Sequence, residues 1–216
     1  MDLVAATESD ARGPNEAGPV ALPCGHVDDV DLLRARHYDL LAVLLGRAPD
    51  QPLLDRLALL SGDDSALGRL TANLARAAAQ TDAAAVEREF FNLFIGVGRG
   101  ELLPYASYYL TGFLNERPLA RVRGDLAALA IERQERVSEP EDHVAVLFEA
   151  MAGLAAGRFA APPGEEQRFF ERNLQSWAGR FLADLEAANA ARFYRSVGAL
   201  GRAFLEIEAE AFAMSA

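Results

Sequence analysis

Apolar residues recur at helical spacing along most of the chain, and this pattern limits the fold more than any other feature. In the first such segment, the residues near the 3.6-residue period of a helix are Leu32, Leu33, Tyr38, Leu41 and Leu45. Gly46 and Pro49 then end the segment. No run of alternating β-branched residues, which would indicate a strand, occurs in the sequence. The chain is therefore predicted to be all-α, a compact multi-helix globular bundle.

The same spacing places further helices along the rest of the sequence. They are predicted over about residues 51–61, 64–80, 82–94, 117–134, 140–157, 163–188 and 190–213, with Asp82 as a candidate N-cap. Between two of them stand Gly96, Gly98 and Gly100, which carry a high conformational-entropy cost in a helix. This glycine segment is predicted to be a loop, either a plain connector or one that shapes a binding groove.

The chain is predicted to be one domain preceded by a tail. Residues 1–27 mix glycine, proline, alanine and acidic residues without periodicity and are expected to be flexible. Residues 28–216 are long enough to form a single all-helical domain with its own core. The only cysteine, Cys24, excludes an intrachain disulfide and favours a reducing compartment. Because the tail also lacks the basic start and apolar run of a secretory signal, a cytoplasmic location is expected.

Charge and motif content exclude several classes of function. The net charge of −11 disfavours nucleic-acid binding, which needs clustered cations, and favours basic partners. No apolar run approaches the roughly 20 residues that span a bilayer, so stable membrane insertion is not expected. His26, His37 and His143 are scattered, and the sequence has neither an HExxH motif nor a zinc-type Cys/His spacing. We therefore expect neither a metal site nor an enzyme.

The stretch from Ser138 to His143 predicts the start of a helix that carries an acid and an imidazole. Ser138 is a candidate N-cap, Pro140 suits a first turn, and Glu141 completes a capping box. The cap does not explain Asp142 and His143. They are either a pair for acid–base work or a helix-dipole carboxylate beside a half-buried histidine. No nucleophile, metal ligand or oxyanion donor can be named beside them, so no catalytic residue is assigned.

Three motifs follow one another between residues 89 and 143. They are Glu89-Phe90-Phe91-Asn92-Leu93-Phe94-Ile95-Gly96, Pro104-Tyr105-Ala106-Ser107-Tyr108-Tyr109 and Glu139-Pro140-Glu141-Asp142-His143. In this order they closely resemble the TorD/DmsD/NarJ family, whose members are cytoplasmic chaperones for molybdoenzymes. The resemblance spans roughly residues 31–212. Phe90 and Tyr105 stand where some relatives carry tryptophan.

The resemblance implies a cytoplasmic, system-specific chaperone of the TorD-like type. It would bind the twin-arginine leader of an apo-molybdoenzyme catalytic subunit, or its folded precursor, while molybdenum cofactor is inserted and export waits. By position, the client-binding residues would be Phe90, Leu93, Phe94, Pro104, Tyr105, Ser107, Glu139, Asp142 and His143. No cofactor is expected to be bound stably. Transient contact with molybdenum cofactor or GTP stays open, as does the choice between a monomer and a domain-swapped dimer.

The chemistry of these residues agrees with such a client. A leader with a cationic start and an apolar stretch calls for carboxylates beside an apolar groove. Asp142, with Glu139 or Glu141, would pair with leader arginines, while the aromatic residues would bury the apolar part. His143 would either orient Asp142 or donate a hydrogen bond to a leader carbonyl.

Two alternative functions stay open at this stage. One is an assembly factor for a molybdoenzyme that is not exported, such as a formate dehydrogenase, for which NarJ-like relatives set the precedent. The other is a protein that binds or hydrolyses GTP, since GTP binding has been proposed for relatives. Deletion of the client's leader would test the first alternative, and calorimetry with GTP would test the second.

Overall fold

Helices dominate the computed structural model, which describes residues 3–5, 28–133 and 139–214. The helices are α1 (Asp29–Gly46), α2 (Gln51–Ala58), α3 (Ala66–Ala79), α4 (Ala83–Phe90), α5 (Ala106–Thr111), α6 (Arg117–Ala128), α7 (Val144–Ala155), α8 (Glu165–Asn173), α9 (Ala178–Ala187) and α10 (Phe193–Met214). A π-helical turn, Phe91–Ile95, follows α4 directly. Two short strands, β1 (Leu3–Ala5) and β2 (Ile131–Arg133), form an antiparallel pair. The all-α prediction is confirmed.

The central helix is α7, because it is apolar on nearly every face. Its residues 144–148 and 150–155 are all buried, and a helix without a polar face is stable only when other elements surround it. The long helix α1 packs along α7, with the Tyr38 ring 5.9 Å from the Phe148 ring. The other long helix, α10, packs against α9 and α3. The core thus lies around α7, and the N-terminal end of α7 reaches the region of the three motifs.

Aspartate side chains cap the starts of α4 and α1, and the sequence predicts the first of these caps. The Asp82 carboxylate accepts a hydrogen bond from the Ala85 N–H at 2.8 Å, which confirms Asp82 as the N-cap of α4. Asp28 caps α1 in the same way. Each cap satisfies a backbone donor that has no partner within its helix.

The start of α7 differs from the prediction. The helix begins at Val144, and its N-cap is His143, whose Nδ1 accepts a hydrogen bond from the Ala145 N–H at 3.1 Å. The residues before it form a turn, in which the His143 N–H donates to the Pro140 carbonyl at 3.0 Å. The predicted helix start at Pro140 is therefore wrong. Ser138, the predicted cap, lies outside the described residues.

The helix predicted over residues 163–188 is two helices, α8 and α9. At the break, the Trp177 indole N–H donates to the Asn173 carbonyl at 2.7 Å, and the Asn173 amide donates to Asp125 at 2.9 Å. These two contacts bend the chain at the end of α8 and place Trp177 in the core, where it is 1% exposed. The helix that local spacing predicts as continuous is therefore interrupted where the Trp177 indole enters the core.

The two strands were not predicted. The helix predicted over residues 117–134 ends at Ala128, because Ala130 adopts a positive φ of 51° and β2 begins directly afterwards. In the pairing, Leu3 lies opposite Arg133, and the Leu3 N–H donates to Glu149 of α7 at 2.9 Å. Leu3–Ala5 is the only part of residues 1–27 that the structure describes. The flexible tail therefore stays a prediction for the rest of that segment.

Gly198 allows α9 and α10 to approach closely. A Cβ atom at this position would lie 2.8 Å from both the Glu186 nitrogen and the Leu182 carbonyl oxygen. We expect Gly198→Ala to lower the free energy of unfolding by about 2 kcal/mol in urea titrations, because backbone atoms cannot yield as side chains do. Gly124→Ala on α6 is the control, since its Cβ position faces open space and alanine favours a helix by about 1 kcal/mol. Equal effects of the two substitutions would contradict this packing.

Candidate functional site

Backbone hydrogen bonds join the three motifs into one structural unit. The Leu102 N–H donates to the Leu93 carbonyl, and the Val144 N–H donates to the Pro104 carbonyl, both at 2.8 Å. Tyr105 and His143 form an antiparallel β-bridge, beside which the Ala106 N–H donates to the Asp142 carbonyl at 3.0 Å. All of the sequence-predicted site residues therefore belong to a single connected region, although the chain separates them widely.

The π-helical turn at Phe91–Ile95 opens the end of α4 toward the neighbouring loop. Its closing bond runs from the Gly96 N–H to the Phe91 carbonyl at 2.7 Å. The Asn92 carbonyl is thereby left to accept from the Glu101 N–H at 3.1 Å, next to the Leu93–Leu102 bond. Gly96 has a positive φ of 63°, and a Cβ there would lie 2.1 Å from the Arg99 carbonyl oxygen. Only glycine fits this reversal, and π-turns of this kind are frequent at functional sites.

The apolar residues of the first motif differ in accessibility. Leu93 is fully buried in the core, whereas Phe90 and Phe94 are partly exposed. The two phenylalanine rings are 5.0 Å apart in an edge-to-face arrangement, and Tyr194 of α10 lies 5.5 Å from Phe94. The ring of Phe181 on α9 is 6.5 Å from Phe94. A ligand can therefore reach the phenylalanine edges, while Leu93 supports them from inside.

Asp142 and Ser107 lie inside the protein and hold α5 in place. The Asp142 carboxylate accepts a hydrogen bond from the Ser107 N–H at 2.8 Å, and Asp142 is only 1% exposed. Ser107 is fully buried, and Pro104, just before the bridge, is buried as well. Asp142 thus serves as an N-terminal cap for α5. In this arrangement its carboxylate faces a backbone amide rather than solvent.

His143 is neutral at physiological pH, and its hydrogen bond determines its tautomer. Burial lowers the pKa of His143 to about 4, with nearby Glu139 opposing the shift. Because Nδ1 accepts from the Ala145 N–H, the neutral ring carries its proton on Nε2. The Tyr105 ring packs edge-to-face on the imidazole at 5.0 Å. Within the described residues, no side-chain hydrogen bond joins His143 to Asp142, so the geometry favours the structural interpretation of this pair over an acid–base dyad.

Two further carboxylates form the polar edge of the site. Glu139 accepts a hydrogen bond from the Tyr105 hydroxyl. Burial, followed by that hydrogen bond, raises the pKa of Tyr105 above its ordinary value, so the phenol stays protonated and donates. Glu141 accepts from Arg123 of α6 at 2.9 Å. Both carboxylates are only partly buried, unlike Asp142.

Glu89 is a structural residue of the site to which the sequence assigned no role. Its buried carboxylate accepts three backbone hydrogen bonds at the start of α10, from the N–H groups of Arg192, Phe193 and Tyr194, at 2.7, 3.1 and 2.7 Å. A signal was present, because Glu89 follows the buried Val86 by three residues on the same face of α4. A carboxylate on a buried helix face indicates a partner elsewhere in the fold.

Glu101 makes a second contact of the same kind. It lies on the loop after the π-turn and accepts from the N–H groups of Asn189 and Ala190 at 2.7 and 3.0 Å. Together with Glu89, it fixes the first motif and its loop to the turn between α9 and α10. The aromatic edge of the site is thus held by the helix behind it.

The part of the chain that the structure describes contains neither a candidate metal site nor a candidate membrane span. No group of three His, Cys, Asp or Glu side chains in it could hold a metal ion. Within the same residues, no helix is both long and apolar enough to cross a membrane. Cys24 and His26 lie outside the described residues.

Known proteins provide an independent comparison. Residues 61–183 match the model of the family described as nitrate reductase delta subunit. The chaperone protein TorD of Vibrio cholerae is 28% identical over 189 residues, which cover 83% of this chain and 82% of that protein. TorD of Vibrio vulnificus is 30% identical over 132 residues, 56% of this chain and 61% of that protein.

A solved structure from Archaeoglobus fulgidus, described as a redox enzyme maturation protein, is similar in fold. It superposes with a TM-score of 0.57 and covers 88% of this chain and 99% of its own. The two sequences are 20% identical. This similarity concerns the fold alone.

Proposed function

The chain belongs to the nitrate reductase delta subunit family, the TorD/DmsD/NarJ family that its motifs resemble, and we propose that it is a cytoplasmic chaperone for a molybdoenzyme. It binds the apo-enzyme precursor through the precursor's twin-arginine leader and keeps it from export while molybdenum cofactor enters. It acts by binding, without turnover, and holds no cofactor of its own. The cofactor is cargo of the client and contacts the chaperone only transiently.

The main support for this proposal is that backbone hydrogen bonds bring the three motifs together in one structural unit. Partly exposed aromatic rings, Phe90 and Phe94, lie on one motif. Partly exposed carboxylates, Glu139 and Glu141, lie on another, and Tyr105 connects them through its bridge to His143. A leader that begins with arginines and continues with apolar residues needs this combination of surfaces.

In this proposal the residues divide into contacting and positioning groups. Phe90, Phe94 and Tyr105 bury the apolar part of the leader, and Glu139 pairs with its arginines. Asp142 acts through α5, because its own carboxylate is occupied by the Ser107 amide. The net charge of −11 draws a basic leader toward the protein and raises its association rate.

His143 contributes a hydrogen-bond donor in the proposed complex. Its Nδ1 is engaged with the Ala145 N–H, so Nε2 carries the proton of the neutral ring. A fixed donor beside the Tyr105 bridge suits a carbonyl of an extended leader peptide. Of the two sequence-based roles for His143, donation to the leader is therefore the one we retain.

A client without an export signal is the second candidate. This candidate has as much support as an exported client. It rests on the resemblance to NarJ-like chaperones and on the match to a family whose name refers to nitrate reductase. The two versions differ in where the client is recognised. Hydrolysis of GTP is a weaker candidate, because no feature of the described residues favours it.

Leader deletion separates the two chaperone versions. The chain is co-purified with the catalytic subunit of a candidate client molybdoenzyme, with and without the subunit's N-terminal leader. Loss of at least about tenfold in affinity on deletion supports leader recognition, since a hot-spot anchor carries that much binding energy. Undiminished binding would contradict leader recognition and support an assembly factor for a non-exported enzyme.

The proposed arginine contact can be tested by neutralising one carboxylate. We expect Glu139→Gln to weaken binding of a synthetic twin-arginine leader peptide about fivefold, because it removes the proposed, partly exposed ion pair between Glu139 and a leader arginine. The amide oxygen can still accept from the Tyr105 hydroxyl, so the melting temperature should change little. Glu210→Gln near the C-terminal end of α10 makes the same charge change at an exposed position away from the site. If isothermal titration gives the two variants the same affinity, Glu139 does not contact the leader.

A further inference from the structure

A second groove, which shares no residue with the site above, lies between α1, α2, α3 and α10. Its cavity volume is about 690 Å³, within the range of ligand-binding clefts. Its apolar lining consists of Leu33, Leu40, Leu57, Leu60, Leu67 and Leu200. We call this cleft the leucine groove.

The leucine groove leaves large apolar side chains exposed to solvent. Leu33 on α1 is 51% exposed and Leu60, after α2, is 38% exposed. Leu59, beside it in the chain, is 84% exposed. Single exposed leucines are ordinary on a protein surface, but a cluster of them around a concave cleft marks an interaction site.

Two arginines give the groove a charge opposite to that of the protein. Arg36 and Arg56 line it and are exposed, and neither forms an ion pair with any other described residue. The one carboxylate in the lining, Asp63, already accepts hydrogen bonds from the Ser65 amide and hydroxyl. On a chain of net charge −11, these arginines present a local cationic rim.

His37 supplies a polar group at the wall of the groove. Its ring stacks on Phe204 of α10 at 5.1 Å, and its Nδ1 lies 2.8 Å from the Leu33 carbonyl. A carbonyl can only accept, so Nδ1 carries the proton and Nε2 of the neutral ring is an acceptor. A peptide can offer an N–H to this nitrogen, whereas the chain of a fatty acid cannot.

From these features we infer that the leucine groove binds an apolar peptide segment flanked by carboxylates, presented by a partner protein. The leucines take the apolar side chains, Arg36 and Arg56 pair with the flanking carboxylates, and His37 accepts from a peptide N–H. The inference does not depend on leader binding, because the required charge is opposite to that of a twin-arginine leader.

Two labelled peptides of about 12 residues test this inference. Both have a leucine-rich centre, and one has glutamates at its ends where the other has lysines. In fluorescence anisotropy at low ionic strength, we expect the glutamate peptide to bind the full chain about tenfold more tightly. The double variant R36E/R56E should reverse this preference. The control R47E/R195E changes the net charge equally at exposed arginines outside the groove and should retain the preference.

The remaining outcomes decide between the inference and other occupants. Leu60→Asp should abolish binding of the glutamate peptide without lowering the melting temperature, since Leu60 is partly exposed. Unchanged preference in R36E/R56E, or binding of the glutamate peptide that survives Leu60→Asp, would overturn the inference. Dodecanoate binding more tightly than the glutamate peptide would also overturn it and assign the groove to fatty acids. Affinity for the twin-arginine leader peptide is expected to be the same in R36E/R56E and R47E/R195E. A failure of leader binding at the proposed client site is therefore distinguished from a failure of the leucine groove.

Discussion

Glu89→Ala is expected to lower the free energy of unfolding by about 4 kcal/mol. The Glu89 carboxylate accepts from three consecutive backbone N–H groups, at Arg192, Phe193 and Tyr194. These are free donors at the first turn of α10, and two of them are buried. Removing a charged acceptor from buried donors costs more than the net value of the hydrogen bonds, because the donors lose water as well.

Loss of the Glu89 cap should also disturb the proposed client site. Glu89 connects α4 to the start of α10, and Tyr194 in that first turn packs against both Phe90 and Phe94. Without the cap, the Tyr194 ring is expected to move away from the phenylalanine edges. Urea titration at neutral pH measures the stability, and leader-peptide affinity of the fraction that remains folded measures the effect on the site.

Two variants control for this experiment. Glu87→Ala removes a carboxylate from the exposed face of the same helix and should stay within about 0.5 kcal/mol of the unmodified protein. Glu89→Gln keeps one acceptor oxygen, so its cost should lie between the two alanine variants. If Glu89→Ala is no more destabilising than Glu87→Ala, the capping contact does not contribute to stability.

The helical core could be predicted because its signals are local. Leu41 and Leu45 follow the helical period and are buried on α1, and Asp82 caps α4 as its position suggests. Such signals depend only on neighbouring residues, which the sequence shows directly. Helices of the bundle were therefore predicted largely in the right places.

The differences arise where contacts between distant segments override local preference. Nothing near Trp177 in the chain predicts that its indole N–H closes onto the Asn173 carbonyl and divides a helix. Likewise, β2 exists through its pairing with Leu3–Ala5, which lies near the start of the sequence and far from β2 in the chain. Three-residue strands are too short to leave a pattern of alternation.

The composition of the candidate site could be predicted, but the depth of its residues could not. The motif order indicated that Phe90, Tyr105 and His143 belong together, and backbone bonds join their segments. Whether a carboxylate faces solvent or an amide depends on the path of a remote segment. Asp142 illustrates this, because the amide that occupies it belongs to Ser107. Its neighbours Glu139 and Glu141 are partly exposed instead.

The unfolding free energy is expected to fall by about 3 kcal/mol between pH 6.5 and pH 4 on account of His143 alone. Burial lowers the pKa of this histidine from 6.5 to about 4 in the folded protein. Between these values the unfolded chain binds a proton that the folded protein does not, so acid favours unfolding. The contribution of His143 is complete above pH 6.5 and is lost as the pH falls through 4.

Protonation also has a structural consequence at the same nitrogen. Nδ1 of His143 accepts the Ala145 N–H that begins α7, and a protonated Nδ1 can no longer accept. The protonated ring therefore loses the hydrogen bond that caps α7, and its charge is buried away from water. The nearby Glu139 carboxylate opposes the shift but does not cancel it, since burial is the larger cause.

His143→Asn isolates this contribution. Asparagine is a good N-cap that does not titrate, so the variant should keep the start of α7 and lose the pH dependence. Other titrating groups, such as Glu166, whose pKa burial raises, are common to both proteins and cancel in the difference. The difference in unfolding free energy between the two proteins, followed by urea titration from pH 7 to pH 4, should therefore change by about 3 kcal/mol. A difference that stays constant over this range would mean that His143 titrates normally in the folded protein and is not buried as an N-cap.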